Sequence, residues 1–186
     1  MNHVKPAVHT RKMVVTAMLA AITIVLGTTP LGFIPIGPTK ATIMHVPVII
    51  GAIIEGPAVG LALGFIFGVF SMIQAVIAPT IVSFVFLDPL VAILPRLLIG
   101  LSAYYVYKAT KSSLASAAVA TLTNTIGVLG MVYILHGVQF VEALGADKAT
   151  VGRVIAGIGV ANGIPEAIVA SVVVGAAVGA IKKIRN

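Results

Sequence analysis

Some of the few polar residues in this chain stand inside long apolar stretches. The segment ANGIPEAIVA (161–170) places Asn162, Pro165 and Glu166 within the apolar run 154–181. Asn162 and Glu166 are four residues apart, so on a helix they share one face. Pro165 has no backbone N–H and therefore leaves a carbonyl one turn earlier without its usual partner. The segment predicts a polar wall on an otherwise apolar helix.

A second candidate is Arg96, in the segment LVAILPRLLIG (90–100). Counted from Asp88 at 1.5 Å per residue, it lies about 10 Å below the start of its apolar run. An arginine at that depth must find a carboxylate, a phosphate or carbonyl oxygens, and intramembrane charges mark functional sites by default. Arg96 is thus either an anion-binding residue or half of a structural ion pair with Glu166 or Asp88.

Other polar residues fall at comparable depths in the apolar runs. Most lie in the half of their run that we expect to face outward, which is typical of an apolar pocket with a few polar anchors. A lone His or Gln in such a place is more often a satisfied interhelical hydrogen bond than a ligand contact. The predicted substrate-binding residues are Arg96, Asn124, Asn162, Glu166, His45, Gln74 and Tyr133.

Sequence motifs for catalysis, metal binding and nucleotide binding are absent. There is no H-E-x-x-H, no G-x-S-x-G and no cysteine, and the four histidines lack metal-ligand spacing. We expect no catalytic residues, no metal site and no cofactor on this chain. Without a G-x-x-x-x-G-K-[ST] loop, ATP would have to be used by another subunit.

Composition decides which kind of fold must position these residues. The chain of 186 residues is 59% hydrophobic and only 9% charged, with a mean hydropathy of +1.15. Soluble domains carry about 25% charged residues, so a water-facing surface is excluded. The net charge of +7 does not form a basic stripe with aromatic residues, so nucleic acid is not expected as a partner. The prediction is a single all-α membrane domain over 1–186.

Six apolar segments can be counted as transmembrane helices of a compact bundle. The second is short for a span of about 20 residues. It still counts as a span, because only EGP (55–57) separates it from the third. The predicted spans are 13–28, 42–54, 58–78, 89–107, 114–135 and 154–181.

The basic residues orient this bundle. Eight of the twelve Lys and Arg residues fall on one side of six spans, which predicts that both termini are cytoplasmic. Those eight are Lys5, Arg11, Lys12, Lys108, Lys111, Lys182, Lys183 and Arg185, against Lys40, Lys148 and Arg153 on the other side. The segments 28–42, 78–89 and 136–153 then become structured extracellular loops, the last as a short helix lying across the outer face.

Small residues recur at four-residue spacing on three predicted spans. Such strips allow another helix backbone to approach closely. For the glycines of the third span we expect packing within the bundle, whereas the first span, at the edge, could instead dock a partner membrane protein. The strips are Gly60, Gly64 and Gly68; Ala17 and Ala21; and Gly175 and Gly179.

These features together resemble the substrate-binding S components of energy-coupling factor (ECF) vitamin transporters. The resemblance rests on six spans, the Ala17-x-x-x-Ala21 strip, and IPIGP, MHVP, LPRLLIG and NGIPEAI in that order. It covers the whole chain and is greatest for the pantothenate-type components. It implies a multi-pass protein of the bacterial cell membrane whose ligand site lies under the first outer loop and spans four to six.

The resemblance also implies a mechanism and partners. Such proteins capture a vitamin from outside and are thought to topple within the bilayer to deliver it. They do so docked on a transmembrane coupling subunit (the T component), which two cytoplasmic ATPases drive. Ala17 and Ala21 match the family's docking face for that subunit.

The nature of the substrate stays open between several vitamins. Pantothenate would place its carboxylate on Arg96 and its amide and hydroxyls on Asn124 and Asn162, while Glu166 accepts from hydroxyls or balances Arg96. A cationic pyrimidine would favour Glu166 as the main anchor, and a flavin would need a wider aromatic pocket. Alternatives are an S component for hydroxymethylpyrimidine, pyridoxine, riboflavin or folate, a stand-alone secondary transporter with a Glu166–Arg96 relay, and a small lipid-directed enzyme.

Overall fold

The long apolar runs form long helices in the computed structural model, which describes residues 6–36 and 39–185. Five helical segments of this described part are long and apolar enough to cross a membrane. The helices are α1 (Pro6–Thr28), α2 (Val46–Glu55), α3 (Pro57–Ile77), α4 (Pro89–Ala92), α5 (Leu94–Thr110), α6 (Ser113–Ala143) and α7 (Val151–Arg185). Short 3₁₀ turns lie at Pro30–Gly32, Ser83–Leu87 and Lys148–Thr150.

Helix α2 is the exception among the predicted spans. We predicted a transmembrane segment at 42–54, but α2 has only 10 residues. Its length of about 15 Å is half of a bilayer's hydrocarbon core of about 30 Å. It lies antiparallel to α1, with Gly51 against Leu19 and Met44 against Gly27. The second span is therefore a short helix preceded by extended chain.

Successive helices pack against one another in antiparallel fashion. Gly56 makes the turn between α2 and α3. Helix α3 then lies along α5, with Gly60 against Gly100 and Gly68 against Ile93. Side-chain hydrogen bonds continue the pattern from α5 to α6 and from α6 to α7. The predicted packing of the α3 glycines within the bundle is confirmed by these contacts.

The two described ends of the chain lie at the same end of the bundle. Lys182, near the end of α7, donates to the hydroxyl of Tyr107 in the last turns of α5. Arg11 of α1 pairs at 2.8 Å with Glu55, the last residue of α2, and α3 begins after the turn at Gly56. Because α3 runs antiparallel to α5, with Gly68 near Ile93 and Gly60 near Gly100, its first residues lie toward the Tyr107 end of α5. We term this the terminal end. The even number of spans and the membrane side that each end faces stay predictions.

A β hairpin lies at the opposite end, which we term the hairpin end. Strand β1 (Phe33–Ile36) pairs antiparallel with β2 (Thr39–Thr42) in a register that places Phe33 opposite Thr42. The predicted all-α fold therefore holds for the bundle, and one of its loops carries two short strands. The predictions that involve Lys5, Gly37 and Pro38 concern positions outside the described residues.

The loop predicted at 136–153 is largely helical and continuous with its neighbours. Helix α6 runs on to Ala143, so the prediction of a separate short helix is wrong. Residues 136–143 contain no proline, and Phe140 and Val141 are buried in a cluster with Ile155 of α7. This burial stabilises the continuation of α6 through residues 136–143. It ends just before Gly145, whose φ of 73° suits a residue without a side chain.

Candidate functional site

A cavity of about 470 Å³ lies between α3, α5, α6 and α7, toward the hairpin end. The last residue of β2 and the 3₁₀ turn between α3 and α4 complete its wall. Most of the lining is aliphatic or aromatic, as in sites that hold small organic ligands. The polar lining residues are Thr42, Ser71, Gln74, Thr80, Ser83, Arg96, Asn124, Thr125, Asn162 and Glu166.

Arg96 lies in the first turn of α5 and is only 6% exposed. Its Nη1 donates to the carbonyl of Val91 over 2.8 Å. Its Cζ lies 5.4 Å from the ring centre of Phe67 and 5.2 Å from that of Phe86. The buried Nε has no hydrogen-bond partner. Arg96 is thus a buried cation held by one carbonyl and two aromatic rings.

The ion pair proposed for Arg96 is absent from the described residues, where none of the salt bridges includes it. Asp88 instead caps α4 by accepting from the backbone N–H of Leu90 over 2.9 Å, and its other oxygen lies 3.3 Å from Nε2 of His136. A buried cation without a carboxylate carries a large desolvation cost. An anionic ligand would offset that cost.

Glu166 bonds to the loop rather than to the arginine. It is 8% exposed, midway along α7. Its Oε1 accepts from the backbone N–H of Thr42 over 2.9 Å and from the Thr42 hydroxyl over 3.0 Å. Glu166 therefore fastens the end of β2 to α7 while it lines the cavity. Pro165 beside it lies within a continuous helix.

Two amide side chains face the cavity from adjacent helices. Asn124 on α6 and Asn162 on α7 both line it, where α6 and α7 approach closely because Gly163 packs against Thr125. The Oδ1 atoms of both amides are buried without a hydrogen-bond partner. Buried polar atoms normally have partners, so these two acceptors fit a ligand that donates from hydroxyl or amide groups.

The other predicted residues are placed differently. Gln74 lines the cavity, and its Nε2 donates to the carbonyl of Gly27 over 2.5 Å. His45 is fully buried outside the cavity wall, with Nε2 2.9 Å from the hydroxyl of Thr121. Tyr133 is 55% exposed on the surface of α6 and does not line the cavity. Five of the seven predicted residues therefore share one cavity.

Among the cavity-lining residues that sequence reasoning missed, three contact Arg96 or Glu166. Phe67 and Phe86 stand in apolar segments, where an aromatic residue normally indicates core packing. Thr42 stands in a loop, and its contact with Glu166 spans 124 positions of the chain. The sequence signal for the partners of Arg96 was the arginine itself, because a cation inside an apolar run needs carbonyl or aromatic groups around it. Among the described residues, no group of three His, Cys, Asp or Glu side chains could hold a metal ion.

The alanine strip of α1 lies on a different surface. Ala17 and Ala21 are exposed and stand among exposed apolar side chains such as Met18 and Ile22. A different face of α1, which includes Leu19 and Leu26, packs into the bundle. The strip is thus open to lipid or to another membrane protein.

Comparison with known proteins gives two matches that extend over most of the chain. Residues 11–178 match the family model described as "ECF transporter, substrate-specific component". The pantothenic acid transporter PanT of Lactococcus lactis subsp. cremoris (strain MG1363) is 33% identical over 166 residues, which cover 80% of this chain and 81% of that protein.

Proposed function

Because this chain belongs to the substrate-specific components of ECF transporters, as its sequence predicted, we propose that it captures pantothenate in the cavity around Arg96. The chain is a multi-pass membrane protein of the cell membrane, and five helical segments of its described part are long enough to span a bilayer. The observation that carries the proposal is a buried arginine, without a carboxylate partner among the described residues, on the wall of a cavity of about 470 Å³.

The polar groups of pantothenate match the polar groups of the cavity. Its carboxylate would bond to Arg96 as a charge-assisted pair, which is stronger than a neutral hydrogen bond. Its hydroxyl and amide N–H groups would donate to the two unpaired oxygens of Asn124 and Asn162. The name of the Lactococcus relative supports the same ligand.

A cationic vitamin precursor fits this cavity less well. It would meet the like charge of Arg96, and repulsion between buried charges is costly. Glu166, its natural anchor, already accepts two hydrogen bonds from Thr42. A stand-alone secondary transporter would need a relay between Glu166 and Arg96. The bonds shown for these two side chains in the described residues go to Thr42 and Val91, not to each other. These points favour an anionic ligand over the alternatives.

Delivery of the ligand would use partner subunits. We propose that the exposed strip of Ala17 and Ala21 docks on the transmembrane coupling subunit, that two cytoplasmic ATPases supply the energy, and that the protein topples to release the vitamin inward. The hairpin end would face outside and the terminal end the cytoplasm. The positive-inside rule supports this orientation, since the basic residues toward the terminal end are Arg11, Lys12, Lys108, Lys111, Lys182 and Lys183.

The central test is Arg96→Ala, with pantothenate affinity measured by calorimetry in detergent. Removing one partner of a buried charge pair costs about 3 kcal/mol, so binding should weaken by about a hundredfold or more. Arg153→Ala is the matched control, because Arg153 is exposed near the start of α7 and does not line the cavity. Unchanged affinity in Arg96→Ala would refute the carboxylate anchor. Mass spectrometry of the small molecule that co-purifies with the native protein identifies the ligand independently.

A further inference from the structure

Among the described residues, the hydrogen bond shown for the guanidinium of Arg96 comes from Nη1, and none is shown for its Nε and Nη2 edge. Nη1 is taken by the carbonyl of Val91 at 2.8 Å, whereas the buried Nε has no partner. Nε and Nη2 share one edge of the guanidinium, and a carboxylate meets that edge through two parallel hydrogen bonds. Among the described residues, no carboxylate occupies it.

Two aromatic rings lie close to this guanidinium. Phe67 comes from α3 and Phe86 from the 3₁₀ turn between α3 and α4, and their ring centres lie 5.4 Å and 5.2 Å from Cζ of Arg96. Both distances are within the range of about 6 Å at which a ring attracts a cation. Both rings also line the cavity.

Rings and carboxylates stabilise a buried cation in different ways. A protein carboxylate would compensate the charge of Arg96 but would occupy its hydrogen-bonding edge. A ring attracts the cation through its quadrupole and accepts no strong hydrogen bond from that edge. The two phenylalanines can therefore hold the guanidinium in place while Nε and Nη2 stay available.

We propose that Phe67 and Phe86 are positioning residues, which hold Arg96 so that its Nε and Nη2 edge meets the carboxylate of the ligand. The inference rests on the proposed function of the cavity. Phe86 belongs to the 78–89 loop, which contains no Lys or Arg. That loop therefore contributes to the selection of an anionic ligand through Arg96 rather than through a positive charge of its own.

The test compares pantothenate with its alcohol analogue, in which CH₂OH replaces the carboxylate. Affinities for both are measured on Phe86→Leu by calorimetry, with competition against a pantothenate tracer for weak binding. Loss of one ring from a desolvated cation should weaken pantothenate binding about tenfold. The alcohol analogue has no charge to pair with Arg96, so its affinity should change less than about twofold. Phe86→Tyr keeps a ring and should restore the preference for pantothenate.

The same loop offers a matched control. Phe84 lies two residues before Phe86, but its ring contacts His136 at 6.1 Å between ring centres. Phe84→Leu should therefore leave the ratio of the two affinities unchanged. Phe67→Leu on α3 is a second variant, which should reproduce the selective loss should Phe86→Leu fail to fold.

Two outcomes overturn the inference. An equal loss for both ligands in Phe86→Leu and Phe67→Leu would mean that the rings only shape the cavity, and no loss for either would mean that they do not act on Arg96. Arg96→Gln separates these failures from failure of the proposed function. If Arg96→Gln selectively weakens pantothenate and the ring variants do not, only the positioning role fails. If Arg96→Gln weakens neither ligand, the carboxylate anchor fails as well.

Discussion

Helices α1 and α3 both carry small residues at four-residue spacing, in opposite environments. On α3, Gly64 is buried, and a Cβ there would overlap the carbonyl group of Arg96 on α5. On α1, Ala17 and Ala21 are exposed, away from the face that packs into the bundle. The spacing therefore predicts that a backbone can approach closely. It does not predict whether that backbone belongs to the same chain.

The neighbours of each strip explain the difference. The glycines of α3 meet backbone atoms of α5 and of the residue before it: a Cβ on Gly60 would lie 3.0 Å from Cα of Gly100, and one on Gly68 2.8 Å from Cα of Ile93. The strip of α1 is surrounded by large apolar side chains that are also exposed, such as Met13 at 61%. An exposed apolar face on a membrane helix suits lipid or a second membrane protein.

The largest effect is expected for Gly64→Leu. Its side chain would have to displace the α5 backbone at Arg96, and overpacking costs about 1–3 kcal/mol even where only side chains must move. We expect loss of the monodisperse folded protein in size-exclusion chromatography. Gly157→Leu on α7 is the control, since nothing lies within 4 Å of a Cβ there. Equal melting temperatures for the two variants would contradict the close contact between α3 and α5.

The depth of the site residues in the membrane could be predicted from the sequence, but the helix face on which each side chain lies could not. A rise of 1.5 Å per residue placed Arg96, Asn124, Asn162 and Glu166 at similar depths, and all four line the cavity. Tyr133 lies nine residues after Asn124, which at 100° per residue is half a turn away on the same helix. That count explains why Asn124 faces the cavity whereas Tyr133 is 55% exposed.

Contacts that depend on tertiary structure could not be predicted. The bond between Glu166 and Thr42 joins α7 to the end of a hairpin, and the hairpin's position follows from packing rather than from local pattern. The continuation of α6 beyond residue 135 likewise depends on burial of Phe140 against α7 and the 3₁₀ turn that contains Val85. Local sequence there combined glycine with polar residues, which is also typical of a loop.

An intermediate effect, on assembly alone, is expected for the double variant Ala17→Leu, Ala21→Leu. Both positions are exposed, so the protein should fold and bind pantothenate within about twofold of the original affinity. Larger side chains on the strip would prevent close approach of a partner helix. The measurement is co-purification with the coupling subunit, together with ATP-driven uptake in vesicles.

A control for this variant is Ala156→Leu, because Ala156 is a small residue of α7 that is also exposed. It should leave both co-purification and uptake unchanged. Retention of the complex by the double variant would show that α1 does not dock through this strip. Loss of the complex in both variants would point to a general effect of bulk on the membrane-facing surface rather than to a docking face.

The smallest effect is expected for Gly179→Ala, because the third strip, Gly175 and Gly179 on α7, has the same spacing but lacks the backbone contacts of the α3 glycines. A Cβ on Gly175 would lie 3.4 Å from Leu114, an ordinary contact, and nothing lies within 4 Å of one on Gly179. Alanine favours helix over glycine by about 1 kcal/mol, so the melting temperature should stay level or rise by about 2–4 °C. Gly64→Ala, the same change on α3, should lower it instead. If both alanine variants lowered the melting temperature equally, the four-residue spacing itself would determine stability, rather than contact with a second backbone. The distinction between α1 and α3 would then lose its physical basis.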